Sequence, residues 1–328
     1  MKITMAHGGG GKATSELIAD IFEANFKNPV LDRMEDSAVV PGAGRIAMTT
    51  DSFVVTPVFF PGGDIGRLSV CGTVNDLLMS GAVPKYLTCG FILEEGADSE
   101  DLRKIAASMA ETAREAGVCI VAGDTKVIDG KGGIYINTAG VGFVPEDRNI
   151  SASACRAGDV VLLSGNLGDH HAAILSGRMN IQNTIRSDCA PLGEMVSAML
   201  QSGVRVHAMR DVTRGGLGTV LNEFASASAC RIRLEETSIP VSAQVAGFCG
   251  ILGLDPLYMG NEGKMVAVVD AADADKALAC MKNSRYGEHA AAIGAVLPAE
   301  EASVVMRTKV GGTRIVAPLY GEGLPRIC

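Results

Sequence analysis

Tryptophan is absent from the 328 residues, and aromatic side chains make up only 4% of them. Stacking platforms for exposed nucleobases are therefore scarce. A basic excess is missing too: 29 Lys and Arg stand against 37 Asp and Glu, for a net charge of −8. An acidic chain without a long basic run argues against a nucleic-acid partner. No apolar run approaches the roughly 20 residues of a membrane-spanning helix. The N-terminal MKITMAHGGGGK has no apolar signal-peptide core. A soluble, cytoplasmic protein with no membrane partner is expected. The nine cysteines, at 71, 89, 119, 155, 189, 230, 249, 280 and 328, form no CxxC pair. That disfavours a zinc knuckle or a thioredoxin motif. An odd, scattered set fits a reducing compartment, with most thiols acting as small core hydrophobes. Cys328 stands apart because it is the last residue.

What is present is aliphatic. Hydrophobic residues are 47% and charged residues 20%, which excludes a disordered chain. The length suits two domains of ordinary size. Helical spacing marks 14–26 and, most clearly, 99–116, where Leu102, Ile105, Ala106, Met109, Ala110 and Ala113 share a face between a cap at Asp98 or Ser99 and a stop at Gly117. Further helices are expected over 72–82, 190–202, 216–229, 241–252 and 271–283. Strands are expected over 46–56, 86–93, 118–123, 135–144, 159–165, 204–208, 231–235, 264–269, 290–297 and 313–317. The polar stretch PEDRNISASACRAGD (145–159) reads as a domain boundary. The expected organisation is a mixed α/β or α+β fold in two domains, 1–150 and 151–317, followed by a mobile tail, 318–328, with two glycines and a proline.

The glycine-rich HGGGGK (7–12) fails as a Walker A loop, because Ala occupies the positions 6 and 13 that need Gly and Ser or Thr. It does satisfy GxGxxA over 8–13, but with few residues before it for a strand. It is a plain N-terminal loop or a flap whose amides at Gly9, Gly10 and Lys12 approach phosphate. Asp51 in TTDSF, Asp76 in VNDLL, Asp124 in AGDTK and Asp211 in RDVTRGG each sit where an element meets a turn. One such Asp is usually a cap. Four, with only five His in the chain, suggest a hard-cation site, with Mg²⁺ held between carboxylates and substrate phosphates. Lys126 and Arg214 follow two of these aspartates closely, as phosphoryl transfer requires, or are solvated surface charges. Gly215 and Gly216 precede an apolar helix whose free amides suit an anion. Glu262 in GNEGK is either a turn residue or a carboxylate delivered to a site. His170-His171 is not a tandem metal motif, since adjacent side chains on a helix diverge; both are expected to be exposed.

These segments, from HGGGGK through TTDSFVVTPVFFPGGDIG, GTVNDLLMSGA, AGDTKV, RDVTRGG and FCGILGLDPLYMGNEGK to LPRIC, resemble the HypE family of hydrogenase maturation factors over nearly the whole chain. The terminal LPRIC is the most specific element. The aspartate and glycine motifs are shared with the wider superfamily of aminoimidazole ribonucleotide synthetase, selenophosphate synthetase and thiamine-monophosphate kinase. The resemblance implies an aminoimidazole ribonucleotide synthetase-like fold, a homodimer built through a shared β-barrel of the N-terminal domains, and ATP with Mg²⁺ in a cleft. It also implies an ATP-dependent carbamoyl dehydratase. Cys328 would accept a carbamoyl group from the carbamoyltransferase HypF. The resulting thiocarboxamide would be dehydrated to a thiocyanate, and the cyanide would pass to iron on the HypC–HypD complex for the [NiFe]-hydrogenase site.

The residue types suit that chemistry. An amide oxygen leaves poorly until it is phosphorylated, and a base must then take the N–H protons. Asp51, Asp76, Asp124 and Asp211 fit metal and phosphate binding. Lys126 and Glu262 are the candidates for charge stabilisation and proton removal, in either assignment. The rivals are another phosphoryl-transfer enzyme of selenophosphate synthetase type, whose reactive Cys would lie near the N-terminus, a non-enzymatic thiol carrier, and an NAD-dependent dehydrogenase resting on GxGxxA alone.

Overall fold

The computed structural model describes residues 2–9, 12–33 and 37–319. The segment after the glycine loop is helical throughout: α1 (Lys12–Leu17), a π-helical turn (Ile18–Glu23) and α2 (Ala24–Phe26). It buries Leu17, Ile21, Phe22 and Phe26. There follow β1 (Ile46–Phe53), the short hairpin β2 (Phe59–Phe60) and β3 (Gly63–Asp64), α3 (Ile65–Met79), β4 (Val83–Glu94), α4 (Ser99–Ala116), β5 (Cys119–Ile128) and β6 (Ile134–Phe143). The sheet order is β1-β6-β4-β5, antiparallel except for the β4–β5 pair, which α4 joins by a crossover.

The second half comprises β7 (Val160–Leu163), α5 (Asp169–Arg178), α6 (Gly193–Gln201), β8 (Val206–Asp211), α7 (Gly216–Ala227), β9 (Arg231–Glu235), α8 (Ala243–Leu252), β10 (Met265–Val269), α9 (Ala274–Lys282), β11 (Ala291–Leu297), β12 (Ser303–Arg307) and β13 (Thr313–Ile315). Its seven-stranded sheet runs β13-β12-β9-β11-β7-β10-β8. Strand β10 is buried on both faces, and its pleat divides it between two cores. Met265, Ala267 and Val269 join the core shared with the N-terminal half, and Val266 and Val268 join the core under α7.

Helix α3 is the hub. Asp64 caps it, its side chain accepting from Gly66 N and Arg67 N. Every residue of α3 is buried except Arg67 and Asp76, because the four-stranded sheet, α4 and the second half surround it. That all-round burial explains why the sequence marks only 72–82: no amphipathic stripe exists on a helix without a wet face.

Helix α4 matches 99–116, with the Asp98 cap on Glu100 N and Gly117 at φ 70°. Other boundaries shift. β5 continues through Asp124 to Ile128 where a turn was expected. β8 extends to Asp211. β12 and α5 were not anticipated. His170 and His171, expected to be exposed, are 1% and 4% exposed, since α5 packs against α8 with its apolar neighbours Ala172, Ala173 and Leu175. His170 Nδ1 lies 2.8 Å from Ser187 Oγ.

Candidate active site

Three elements, β1, α3 and β8, bring carboxylates to the seam between the halves. β1 carries Asp51 on its covered face, over Gly72 of α3. The Asp51 Oδ2 lies 3.8 Å from where a Gly72 Cβ would stand, and that Cβ would also press on the Phe53 ring at 2.9 Å. Glycine at 72 therefore lets strand and helix close up. One turn on, Asp76 accepts a hydrogen bond from Thr49 Oγ1 at 2.7 Å. From the other half, β8 ends in Asp211. Thr49, Asp76, Asp211 and Arg214 line one cleft of about 590 Å³.

The acids in and beside this cleft raise one another. Burial, then the charges of Asp76 and Asp51, push Asp211 up to about 7. Burial, then the charge of Asp76, raise Asp51, and the Arg214 charge opposes them. Burial raises Glu262 well above the usual carboxylate range, helped by Asp211, Asp188 and Asp51 and opposed by Arg214. Like charges held this close are relieved by a cation. Among the described residues no three His, Cys, Asp or Glu side chains converge closely enough to hold a metal ion alone. The donor set is nonetheless all hard oxygen, which suits Mg²⁺ completed by phosphate.

The cleft also meets a helix N-terminus. Gly215 and Gly216 have φ of +81° and +63° and open α7 directly after Arg214. A Cβ at Gly216 would meet Leu257 O at 2.5 Å, so the turn needs glycine twice over. The amides there and the Arg214 guanidinium suit an anion.

The structure does not bring all the expected residues together within one chain. Asp124 and Lys126 lie on β5, at the opposite edge of the sheet from β1, some 14 Å away at three strand spacings. They form an exposed ion pair of 2.8 Å. Asp124 shares a row with Gly90, Asn137 and Ser52, on the open face of the sheet rather than the face covered by α3. Lys12 is exposed and pairs with Glu16 at 3.5 Å, one turn along α1. Gly9 closes a 3-10 turn, Met5–Gly8, and no strand element precedes it, so the dinucleotide-fold reading of GxGxxA is not met. Gly10 and Cys328, both expected at the site, lie outside the described residues. Sequence reasoning missed Thr49, Asn75, Asp188 and Lys264, which hold the acidic groups in place. Thr49, Asn75 and Lys264 lie in the quoted motifs TTDSF, VNDLL and GNEGK, beside acids that drew attention, and Asp188 lies in none of them.

Known proteins share this arrangement. Residues 34–144 match the AIR synthase related protein, N-terminal domain, and residues 156–307 its C-terminal domain. The carbamoyl dehydratase HypE of Rhodobacter capsulatus is 48% identical over 100% of this chain and 98% of that protein. The chain belongs to the HypE family. Membership makes it an enzyme of hydrogenase maturation with the two-domain AIR synthase-related fold. Among solved structures, the hydrogenase maturation protein HypE in complex with ATP superposes with a TM-score of 0.95 at 45% identity, covering 99% of each chain. A chain of the HypE–HypF complex gives 0.81 at 46% identity, covering 92% of this chain and 99% of that one.

Proposed function

We propose that this HypE-family chain uses ATP to dehydrate a carbamoyl group carried on Cys328, converting an S-carboxamide to an S-cyanide that supplies the cyanide ligands of [NiFe]-hydrogenase iron. The observation that carries this reading is the convergence of Asp51, Asp76 and Asp211, with Glu262, Arg214 and the α7 N-terminus, at one interdomain seam. The related HypE structure in complex with ATP supports nucleotide binding there.

The carbonyl oxygen of the thiocarboxamide attacks the γ-phosphorus of ATP, and ADP leaves. One N–H proton departs as the imidate forms. The C–O bond then breaks, phosphate leaves, and loss of the second N–H proton completes C≡N. Asp51, Asp76 and Asp211 would hold Mg²⁺, which would supply positive charge to the transferring phosphoryl group. Arg214 and the amides at Gly215 and Gly216 bind phosphate oxygens. Glu262, whose environment favours holding a proton, takes one from nitrogen.

A homodimer completes the site. The open face of the four-stranded sheet presents Ile46, Met48, Val83 and Ile92, at 53%, 69%, 47% and 43% exposure, and among the described residues its β1 edge has no partner strand. An apolar face with an open edge is a liability unless covered. A second copy covering it encloses Asp124 and Lys126, so both act only in the dimer: Asp124 with the metal and phosphates, Lys126 on the developing charge. Gly9, Gly10 and Lys12 form the flap over the phosphates. HypF donates the carbamoyl group, as the related HypE–HypF complex supports, and the HypC–HypD complex receives the cyanide. No described helix is long and apolar enough to cross a membrane. A cytoplasmic setting is part of the same proposal.

Intact mass tests the reading. Incubation with HypF, carbamoyl phosphate and ATP should first add about 43 Da and then remove about 18 Da, one water, from an adduct mapped to Cys328. Persistence of the carbamoyl adduct with ATP present would leave a thiol carrier instead.

A further inference from the structure

Two side chains, those of Asn75 and Asp188, bond the backbone of Glu262. Asp188 lies in the segment 187–192, which α3 grips along one stripe. Arg67 Nε donates to Cys189 O at 2.9 Å, Asn75 Nδ2 donates to Ala190 O at 3.0 Å, and Leu192 N donates to Asn75 Oδ1 at 2.9 Å. Positions 67 and 75 stand two turns apart on the same face, one turn to either side of Cys71. The segment is thus fixed to the helix that carries Asp76.

From this base the Asp188 side chain, 3% exposed, reaches both flanks of Glu262. Its Oδ1 accepts the Glu262 amide at 3.1 Å. Its Oδ2 lies 3.4 Å from Lys264 Nζ and is buried without a hydrogen bond. Between those two contacts, a Cβ on Gly263 would stand 1.9 Å from Asp188 O, so the segments touch with no slack. A buried carboxylate oxygen that rests on an ion pair without a formed hydrogen bond is costly, and its retention calls for a reason. The Asp188 charge also contributes to what raises the Glu262 carboxyl.

We propose that Asp188 is a positioning residue for Glu262, fixing the 260–264 turn through the Glu262 amide and Lys264 so that the Glu262 carboxyl is aimed at the acidic cluster. The proposal rests on the reading of Glu262 as the proton-handling group.

The test follows dehydration of the full-length, HypF-carbamoylated chain by intact mass at saturating ATP. Asp188→Ala should slow the step about 10²-fold, the scale of a misplaced reacting group, with the KM for ATP within about twofold of the parent. Asp188→Asn keeps the acceptor for the Glu262 amide and should lose about tenfold or less. Placed in Glu262→Gln, Asp188→Ala should cost less than about twofold more, because both changes disable one unit. If Asp188→Ala does not fold, the double variant Asp188→Ala with Lys264→Met removes the unpaired buried charge and carries the same expectations. Dehydration by folded Asp188→Ala at the parent rate, with Glu262→Gln slow, overturns the proposal alone. So does a second full loss in the Glu262→Gln background. Full-rate dehydration by Glu262→Gln overturns the reading of Glu262 and the proposal with it.

Discussion

Asp76 is one of only two residues of α3 that escape burial, and the helix places it in the cleft with Thr49 bonded to its Oδ2. Asp76→Asn keeps the shape and the acceptor but removes a hard anionic ligand. ATP turnover by carbamoylated protein should fall at least about 10²-fold while the melting temperature stays within a few degrees. Normal Mg²⁺-dependent turnover would show that Asp76 only orders Thr49. His170 gives a pH signature away from the site. Burial pushes its imidazole down to about 4 from the ordinary 6.5, with Phe60 edge-on at 5.5 Å. Stability is whole above pH 6.5. As pH falls toward 4, the unfolded chain binds a proton that the folded chain refuses, and stability is lost at up to about 1.4 kcal/mol per pH unit. Urea unfolding across this window should flatten in His170→Asn, and an unchanged slope would count against the buried neutral imidazole. The proposed site was partly legible: Asp51, Asp76, Asp211 and Arg214 stand among small and polar neighbours that keep a side chain near a surface. Asp188 was not, because its partners, Glu262 and Lys264, are more than 70 residues away in sequence.

Elements were legible where one face is wet. α4 shows its stripe and both caps, and sequence and structure agree on 99–116. α3 shows no stripe, and only its Asp64 cap marks the start. Asp64→Ala removes acceptors for Gly66 N at 2.7 Å and Arg67 N at 3.1 Å, which should cost about 1 kcal/mol in chemical denaturation. An unchanged midpoint would mean that packing alone sets the helix start. β5 was read as ending before Asp124 because GDTK looks like a turn. Pairing of Gly123 to Ile128 with Cys89 to Glu94 overrides that local preference. The glycine has a place in the strand because its missing Cβ would stand 2.8 Å from Cys89 O. Within one chain, that strand position on the open face separates Asp124 from the other three aspartates.

At the scale of the whole molecule, the dimer and the chemistry are one question. Ile46→Glu puts a charge on the open apolar face at a residue outside the lining of the acidic cleft. Light scattering at micromolar concentration should report a monomer, and ATP turnover should fall with it, because Asp124 and Lys126 are no longer enclosed. A monomer that dehydrates at the full rate would place both residues outside the reaction. A parent chain that is itself monomeric would remove the homodimer from the account.

The order β1-β6-β4-β5 has a consequence for synthesis. β1 pairs with β6 alone, Ile46 opposite Phe143 and Phe53 opposite Ile136, so its partner emerges some 80–100 residues later. At about 5–20 residues per second a ribosome needs roughly 4–20 s to supply it. Throughout that interval Ile46 and Met48 travel on a strand with neither edge satisfied. β1 is thus a nascent segment that a chaperone would shield until β6 emerges.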